Sequence, residues 1–151
     1  MREENVHKKR YLDEYRKARE SAKELESRLE MLQLDAMVPG QRAADAMPHG
    51  SGGERDLSDY IAKYDSYVTS LIRKRTAAQM IMMEISEAID KLESEEERQV
   101  LLYRYIHLMR WEKIAEEMHV ALRTAFNWHG QALEHFVVPE TSCIEMQSRS
   151  R

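Results

Sequence analysis

Trp111-Glu-Lys-Ile-Ala-Glu-Glu-Met-His-Val-Ala-Leu-Arg-Thr-Ala-Phe-Asn-Trp128 is the stretch that decides how the rest of the chain is read. Ile114 and Met118 stand one turn apart on a first short helix, and Ala115 is the small residue where two helix backbones cross. Val120 plugs the turn, while Ala125 and Trp128 face back from a second helix. These placements agree within about twenty residues, which predicts a helix-turn-helix rather than one amphipathic helix. The positions pointing outward from the second helix are Leu122, Arg123, Phe126, Asn127, Gly130 and Gln131. Such a motif offers that face to the major groove of DNA.

Immediately upstream, Ser94 is followed by Glu95, Glu96 and Glu97, the composition of a helix start. Ser94 can cap, Glu97 stands at the reciprocal position, and carboxylates suit the positive end of the helix dipole. The helix from Glu95 to about His107 carries Val100, Leu101, Tyr103, Tyr105 and Ile106. It is expected to support the motif. Trp111 and Trp128 fall on the apolar face and are read as core residues.

Further out, two long seams precede this module. The first runs Tyr11, Tyr15, Ala18, Ala22, Leu25, Leu29, Leu32 and Ala36, stepping by four and three. It predicts one helix from about Glu3 to about Ala36. The second runs Leu57, Ile61, Tyr64, Val68, Leu71, Arg75, Ala78, Met82, Ile85, Ile89 and Leu92, with Asp56 or Ser58 as cap. Only Arg75 offends, either as a polar residue that sets register or as a side chain that snorkels outward. Arg73-Lys74-Arg75 is the densest basic patch, a solvated face or a contact for phosphate or an acidic partner. Between the seams, Pro39-Gly40, Pro48 and Gly50-Ser51-Gly52-Gly53 mark a connector long enough for the chain to reverse. No Lys-Ser/Thr follows the glycines, so this is not a phosphate-binding loop. The expected organisation is a long coiled-coil helix over 1–36, a flexible linker over 37–56 and a second long helix over 57–93. A DNA-binding helix-turn-helix over 94–136 and a disordered tail over 137–151 complete it.

Composition bounds the function. The chain has 151 residues, 33% of them charged, and a formal net charge of -4. A strongly basic overall surface, the usual footprint of a nucleic-acid binder, is missing. In 98–136, Arg98, Arg104, Arg110, Lys113 and Arg123 are opposed by Glu112, Glu116, Glu117 and Glu134, so few counterions would be released on DNA. The lone Cys143 makes no internal disulfide, and no apolar run is long enough for a signal peptide or a membrane span. A soluble, cytoplasmic protein with no membrane partner is expected. Glu116 with His119, and His129 with His135, lack the further ligands a metal site needs. No catalytic constellation and no cofactor site is evident, so an enzyme is not expected.

Arg98-Gln-Val-Leu-Leu-Tyr-Arg-Tyr-Ile, Arg110-Trp-Glu-Lys-Ile-Ala-Glu-Glu-Met and Leu122-Arg-Thr-Ala-Phe-Asn-Trp-His-Gly-Gln-Ala-Leu together resemble the fourth region of bacterial sigma-70-type factors. With its helical N-terminal half, the chain is more closely similar to small phage and prophage regulators such as the ArpU and RinA late-transcription activators. The resemblance implies that a recognition helix over about 121–134 enters the major groove of promoter DNA, and that some members touch RNA polymerase. It matches Arg123 and Thr124 to the Arg-Thr near the start of that helix. His129 to Leu133 match a His-Gly-Arg-Ala-Leu run, with Gln131 in place of the basic residue. His119 stands where the family has a turn glycine, and Ala121 where it has a Ser or Thr cap; losing that cap costs about 1 kcal/mol.

The resulting expectation is an all-α regulator that contacts bases through Leu122, Arg123, Phe126, Asn127 and Gln131, and phosphates through Arg110, Lys113 and Thr124. Arg123 has the fork that fits a guanine edge, and Asn127 the amide that fits adenine. With modest affinity per monomer, occupancy would need self-association through the long helices, or polymerase. Two alternatives are a DNA-packaging adaptor of the small-terminase kind and a coiled-coil interaction protein without DNA binding.

Overall fold

The computed structural model describes residues 3–37, 52–142 and 144. Its elements are helices α1 (Glu3–Leu12), α2 (Glu14–Met37), α3 (Gly52–Asp90) and α4 (Glu95–Leu101), a π-helical turn (Leu102–Ile106), and helices α5 (Trp111–Glu117) and α6 (Leu122–His135). No strand occurs among the described residues. The fold is all-α, as the seams imply. None of the described helices is long and apolar enough to cross a membrane.

The chain divides into two compact units, 1–18 with 77–151, and 19–76. In the second unit, α2 and α3 pair antiparallel around Ala22, Leu25 and Leu71, with Leu29 and Tyr67 against them. Gln33 donates to the Tyr64 hydroxyl at 2.8 Å, and Arg75 meets Glu26 at 2.6 Å. Arg75 therefore points outward: it is exposed and ion-paired, and sets no register in the apolar seam. Lys74 likewise reaches the Ser21 hydroxyl, so two cations of the basic patch are engaged across the helix pair. The seam of α3 is rotated from its expected phase at this end. Leu57 (60% exposed) and Ile61 (50%) face solvent, while Tyr60 turns inward and donates to the Leu32 carbonyl. A tyrosine can bury its ring and still satisfy its hydroxyl at the pair's edge, which two aliphatic side chains there cannot match.

The first unit holds the main core. Leu12, Ile85, Ile89, Val100, Leu101, Ile114, Ala125, Leu133 and Phe136 are almost completely buried within it. Each large aliphatic side chain so placed contributes about 1.5–3 kcal/mol of transfer free energy. The first helix is interrupted at Asp13, although Asp13 N–H still donates to the Lys9 carbonyl and Lys17 N–H to that of Asp13. Before this interruption, Tyr11 and Leu12 fill the core beneath the helix-turn-helix, with the Tyr11 ring 6.0 Å from that of Phe136. The start of the first seam thus serves the C-terminal module.

Two expectations at the chain's margins are corrected or left aside. Helix α3 starts at Gly52, ahead of the expected Leu57, and the rest of the connector, 38–51, lies outside the described residues. Within the segment expected as a disordered tail, Ser142 is buried and donates to Glu84 at 3.0 Å, and Ile144 joins the core. Glu84 also accepts from Tyr11 at 2.8 Å, so one carboxylate fastens both ends of this unit to α3. Ser142 and Ile144 are held because a buried hydroxyl and an apolar side chain each find a partner on the unit.

Candidate nucleic-acid interface

Ser94 caps α4, accepting from the Glu97 N–H at 3.4 Å. The Glu97 carboxylate does not return the bond. It is buried and holds His135 Nδ1 at 2.9 Å, at the far end of α6. Contact with Glu97 raises the His135 imidazole above its ordinary value. Arg98 donates to the carbonyls of Leu92 and Glu93, closing the turn behind α3. The π-helical turn then widens the backbone, with His107 N–H donating to the Leu102 carbonyl at 2.9 Å. Leu108, at φ 56, swings the chain into α5.

The helix-turn-helix is built as its spacing implies. Ile114, Ala115 and Ala125 are buried, and Met118, Val120 and Trp128 are half-buried against the same core. Val120 N–H donates to the Ala115 carbonyl at 3.0 Å, tying the turn down. His119 has φ 54, the left-handed conformation that glycine adopts without penalty. Ala121 is extended at the start of α6 and contributes no side-chain cap. Helix α6 buries Ala125, His129, Ala132 and Leu133, an i, i+4, i+7, i+8 stripe.

The opposite face of α6 is the candidate reading surface. Leu122 (39%) and Phe126 (44%) are exposed large apolar residues, and Arg123, Asn127, Gly130 and Gln131 are exposed beside them. A Cβ added at Gly130 would meet nothing within 4 Å, so no contact inside the protein demands glycine there. Of the expected phosphate contacts, Arg110 is exposed at the start of α5 and Thr124 is half-buried at the margin of α6. Lys113 differs in being held by Glu116 at 3.2 Å and Glu117 at 3.0 Å on its own helix.

Behind this face lies an aromatic and basic corner. Trp111 stands 4.8 Å from Phe126 and 4.9 Å from His129, ring centre to ring centre, with the Arg104 guanidinium over it at 5.0 Å. Arg104 is oriented by donating to the Met109 carbonyl at 3.0 Å. The Tyr105 hydroxyl lies 2.9 Å from His129 Nε2, and burial pushes the phenol up to about 12. Burial, with lesser contributions from Lys9 and Arg104, pushes the imidazole down to about 4. The ring is therefore neutral, and it shares one hydrogen bond with the Tyr105 hydroxyl.

Sequence reasoning missed what α1 and α2 add to this corner. A groove of about 720 Å³ is lined by Lys9, Arg10, Arg16 and Lys17 together with Arg104, Trp111 and His129, and contains one carboxylate, Asp13. Spacing did carry a signal, since Lys9, Asp13 and Arg16 share one helix face, with Arg10 and Lys17 beside them. Lys8, also missed, is buried and donates to the Leu133 carbonyl at 2.9 Å and the Glu134 carbonyl at 3.3 Å. It thereby satisfies carbonyls at the C-terminal end of α6. Among the described residues, no three His, Cys, Asp or Glu side chains converge as a metal site would require.

Residues 82–136 match the family model described as Sigma-70, region 4. The matched segment spans the end of α3 through α6 and contains every expected contact residue from Arg110 to Gln131. The match supports a DNA-binding, transcription-regulator-like character for this module. No curated protein and no solved structure matches the chain.

Proposed function

We propose that this protein is a sequence-specific DNA-binding transcription regulator of the phage or prophage kind, most akin to late-gene activators. Helix α6 is its reading helix. The observation that carries the proposal is the solvent-facing row Leu122, Arg123, Phe126, Asn127, Gly130 and Gln131 on a helix fixed from behind by a buried stripe. Arg123 would pair with a guanine edge and Asn127, one turn on, with adenine. Phe126 and Leu122 would meet thymine methyls, while Gln131 reads at the far end. Arg110 and Thr124 would hold phosphates; Lys113 would join them only by leaving Glu116 and Glu117. Self-association through the long helices is part of the proposal, supported by Leu57, Ile61 and Ile72, which leave apolar surface exposed on α3. RNA polymerase is the second partner.

Selection of bound sequences from a random duplex pool, using the full chain, tests this. A defined element should emerge, and Arg123→Ala should weaken binding to it about tenfold or more while relaxing one base position. A palindromic element would indicate paired half-sites on a two-fold dimer; a single asymmetric element would favour the sigma-like mode. Failure of the chain to retain any duplex at low salt would overturn the proposal.

A further inference from the structure

We infer that the groove between the N-terminal helix and the Arg104–Trp111 corner is a second DNA contact, a track for backbone phosphates that flank the bases met by α6. The inference rests on the DNA-binding reading above and extends it to residues outside the matched segment.

Charge is the first argument. The whole chain is formally -4, yet five cations line this one groove against the single carboxylate of Asp13. Asp13 is committed to Arg16, which donates from Nε at 2.8 Å and from its terminal nitrogen at 2.5 Å. Arg10 and Arg104 meet no carboxylate among the other lining residues, and Lys17 is only loosely placed beside Glu14 at 3.4 Å. Titration agrees with this placement. Asp13 is held below the usual carboxylate range, chiefly by Arg16 with Lys17 and Arg104 adding to it, and His129 is depressed partly by Lys9 and Arg104.

Shape and position are the second argument. Lys9–Arg10 and Arg16–Lys17 are seven residues apart, about 10 Å along a helix, so the cations form a strip rather than a point. A strip suits an extended polyanion, and duplex DNA carries about one negative charge per 1.7 Å of its axis. The strip is continuous with the proposed reading face, because Trp111 lines the groove and its ring contacts the exposed Phe126. Lys8 fixes α1 to the end of α6, so groove and reading helix belong to one body. The near-neutral helix-turn-helix is thereby supplied with the positive charge that it lacks.

The test uses the full chain and a fluorescent random-sequence duplex of about 40 base pairs, with affinity measured across a salt series. Each lost phosphate contact lowers the slope of log affinity against log salt by about 0.9. The triple variant Lys9→Gln/Arg10→Gln/Lys17→Gln should therefore flatten the slope by about 2 to 3, with helicity by circular dichroism unchanged. Should the triple variant fold poorly, Arg10→Glu alone should still flatten it by about 1. Arg123→Ala should keep the slope within about 1 of the wild type, since its loss relaxes one base position of the selected element. A wild-type protein that binds duplex with a slope untouched by the groove variants overturns the inference and leaves the reading helix standing. If the variants lose binding of inorganic triphosphate but keep the DNA slope, the groove is a small-anion site and the inference fails. A wild-type protein that binds no duplex at low salt fails both readings together.

Discussion

Tyr105 and His129 meet hydroxyl to Nε2 at 2.9 Å, joining the π-helical turn to the buried side of α6. Burial holds the imidazole down at about 4, so the ring that makes this bond is neutral at physiological pH. In the unfolded chain the same group titrates near 6.5. Its folded value is therefore depressed, and stability present above about pH 6.5 is lost as pH falls towards 4. The loss attributable to this group is on the order of 3 kcal/mol. Urea midpoints measured from pH 7.5 to 4.5 should fall accordingly, and His129→Gln should flatten that fall.

His135 behaves in the opposite sense. Its value is raised by Glu97, so its contribution is fully present below the unfolded value near 6.5 and is lost as pH rises through the folded one. Replacing His135 by Gln should lower the midpoint at pH 6 more than at pH 8.5. Equal changes at both pH values would contradict the Glu97 pairing.

The turn of the motif can be improved. His119 sits at φ 54, and Ala121 begins α6 with no side-chain cap. His119→Gly should stabilise the protein by about 1 kcal/mol by relieving the left-handed conformation. Ala121→Ser should stabilise by a similar amount, about 1 kcal/mol, by accepting an orphan N–H of α6. The sites are two residues apart in one turn, so the double variant, measured by denaturant unfolding, also reports their coupling.

Lys8 bonds to the last carbonyls of α6 from within the core. Lys8→Met keeps the aliphatic stem and removes the charged donor, and should cost about 2 kcal/mol. Hydrogen exchange at the last turn of α6 should rise more than exchange in the α2–α3 pair.

Gly130 separates stability from recognition. With open space at its Cβ, Gly130→Ala should raise stability by about 1 kcal/mol through helix propensity. On the proposed reading, the added methyl should nevertheless weaken binding to the selected DNA element. Increases in both would place Gly130 away from the contacted face.

The helix-turn-helix was legible because its signals are local: Ile114, Ala115, Val120 and Ala125 lie within a dozen residues and need only one another. Seam phase was harder. Leu57 and Ile61 satisfy the same four-three spacing as Tyr60, Tyr64 and Tyr67, and period alone does not choose between two adjacent stripes when both are apolar. Tyr11 was legible as a seam residue and Leu12 was not, and neither was legible as part of the C-terminal core, since Phe136 lies more than a hundred residues away. Lys8, Glu84 and Ser142 were invisible for the same reason. A buried polar residue becomes intelligible only when its long-range partner is known. The basic strip was hidden because 98–136 is nearly neutral by itself and the fold recruits the cations from the opposite end of the chain.

The interruption at Asp13 has a practical corollary. The segment matching the family begins at residue 82, but Tyr11 and Leu12 sit inside the same packed interior, and Lys8 closes the last helix. A fragment trimmed to the matched boundaries would expose an empty socket where those side chains belong. The matched segment and the packed interior have different borders here. An affinity tag or fusion partner that strains residues 3–12 would act on α6 as directly as a substitution within it.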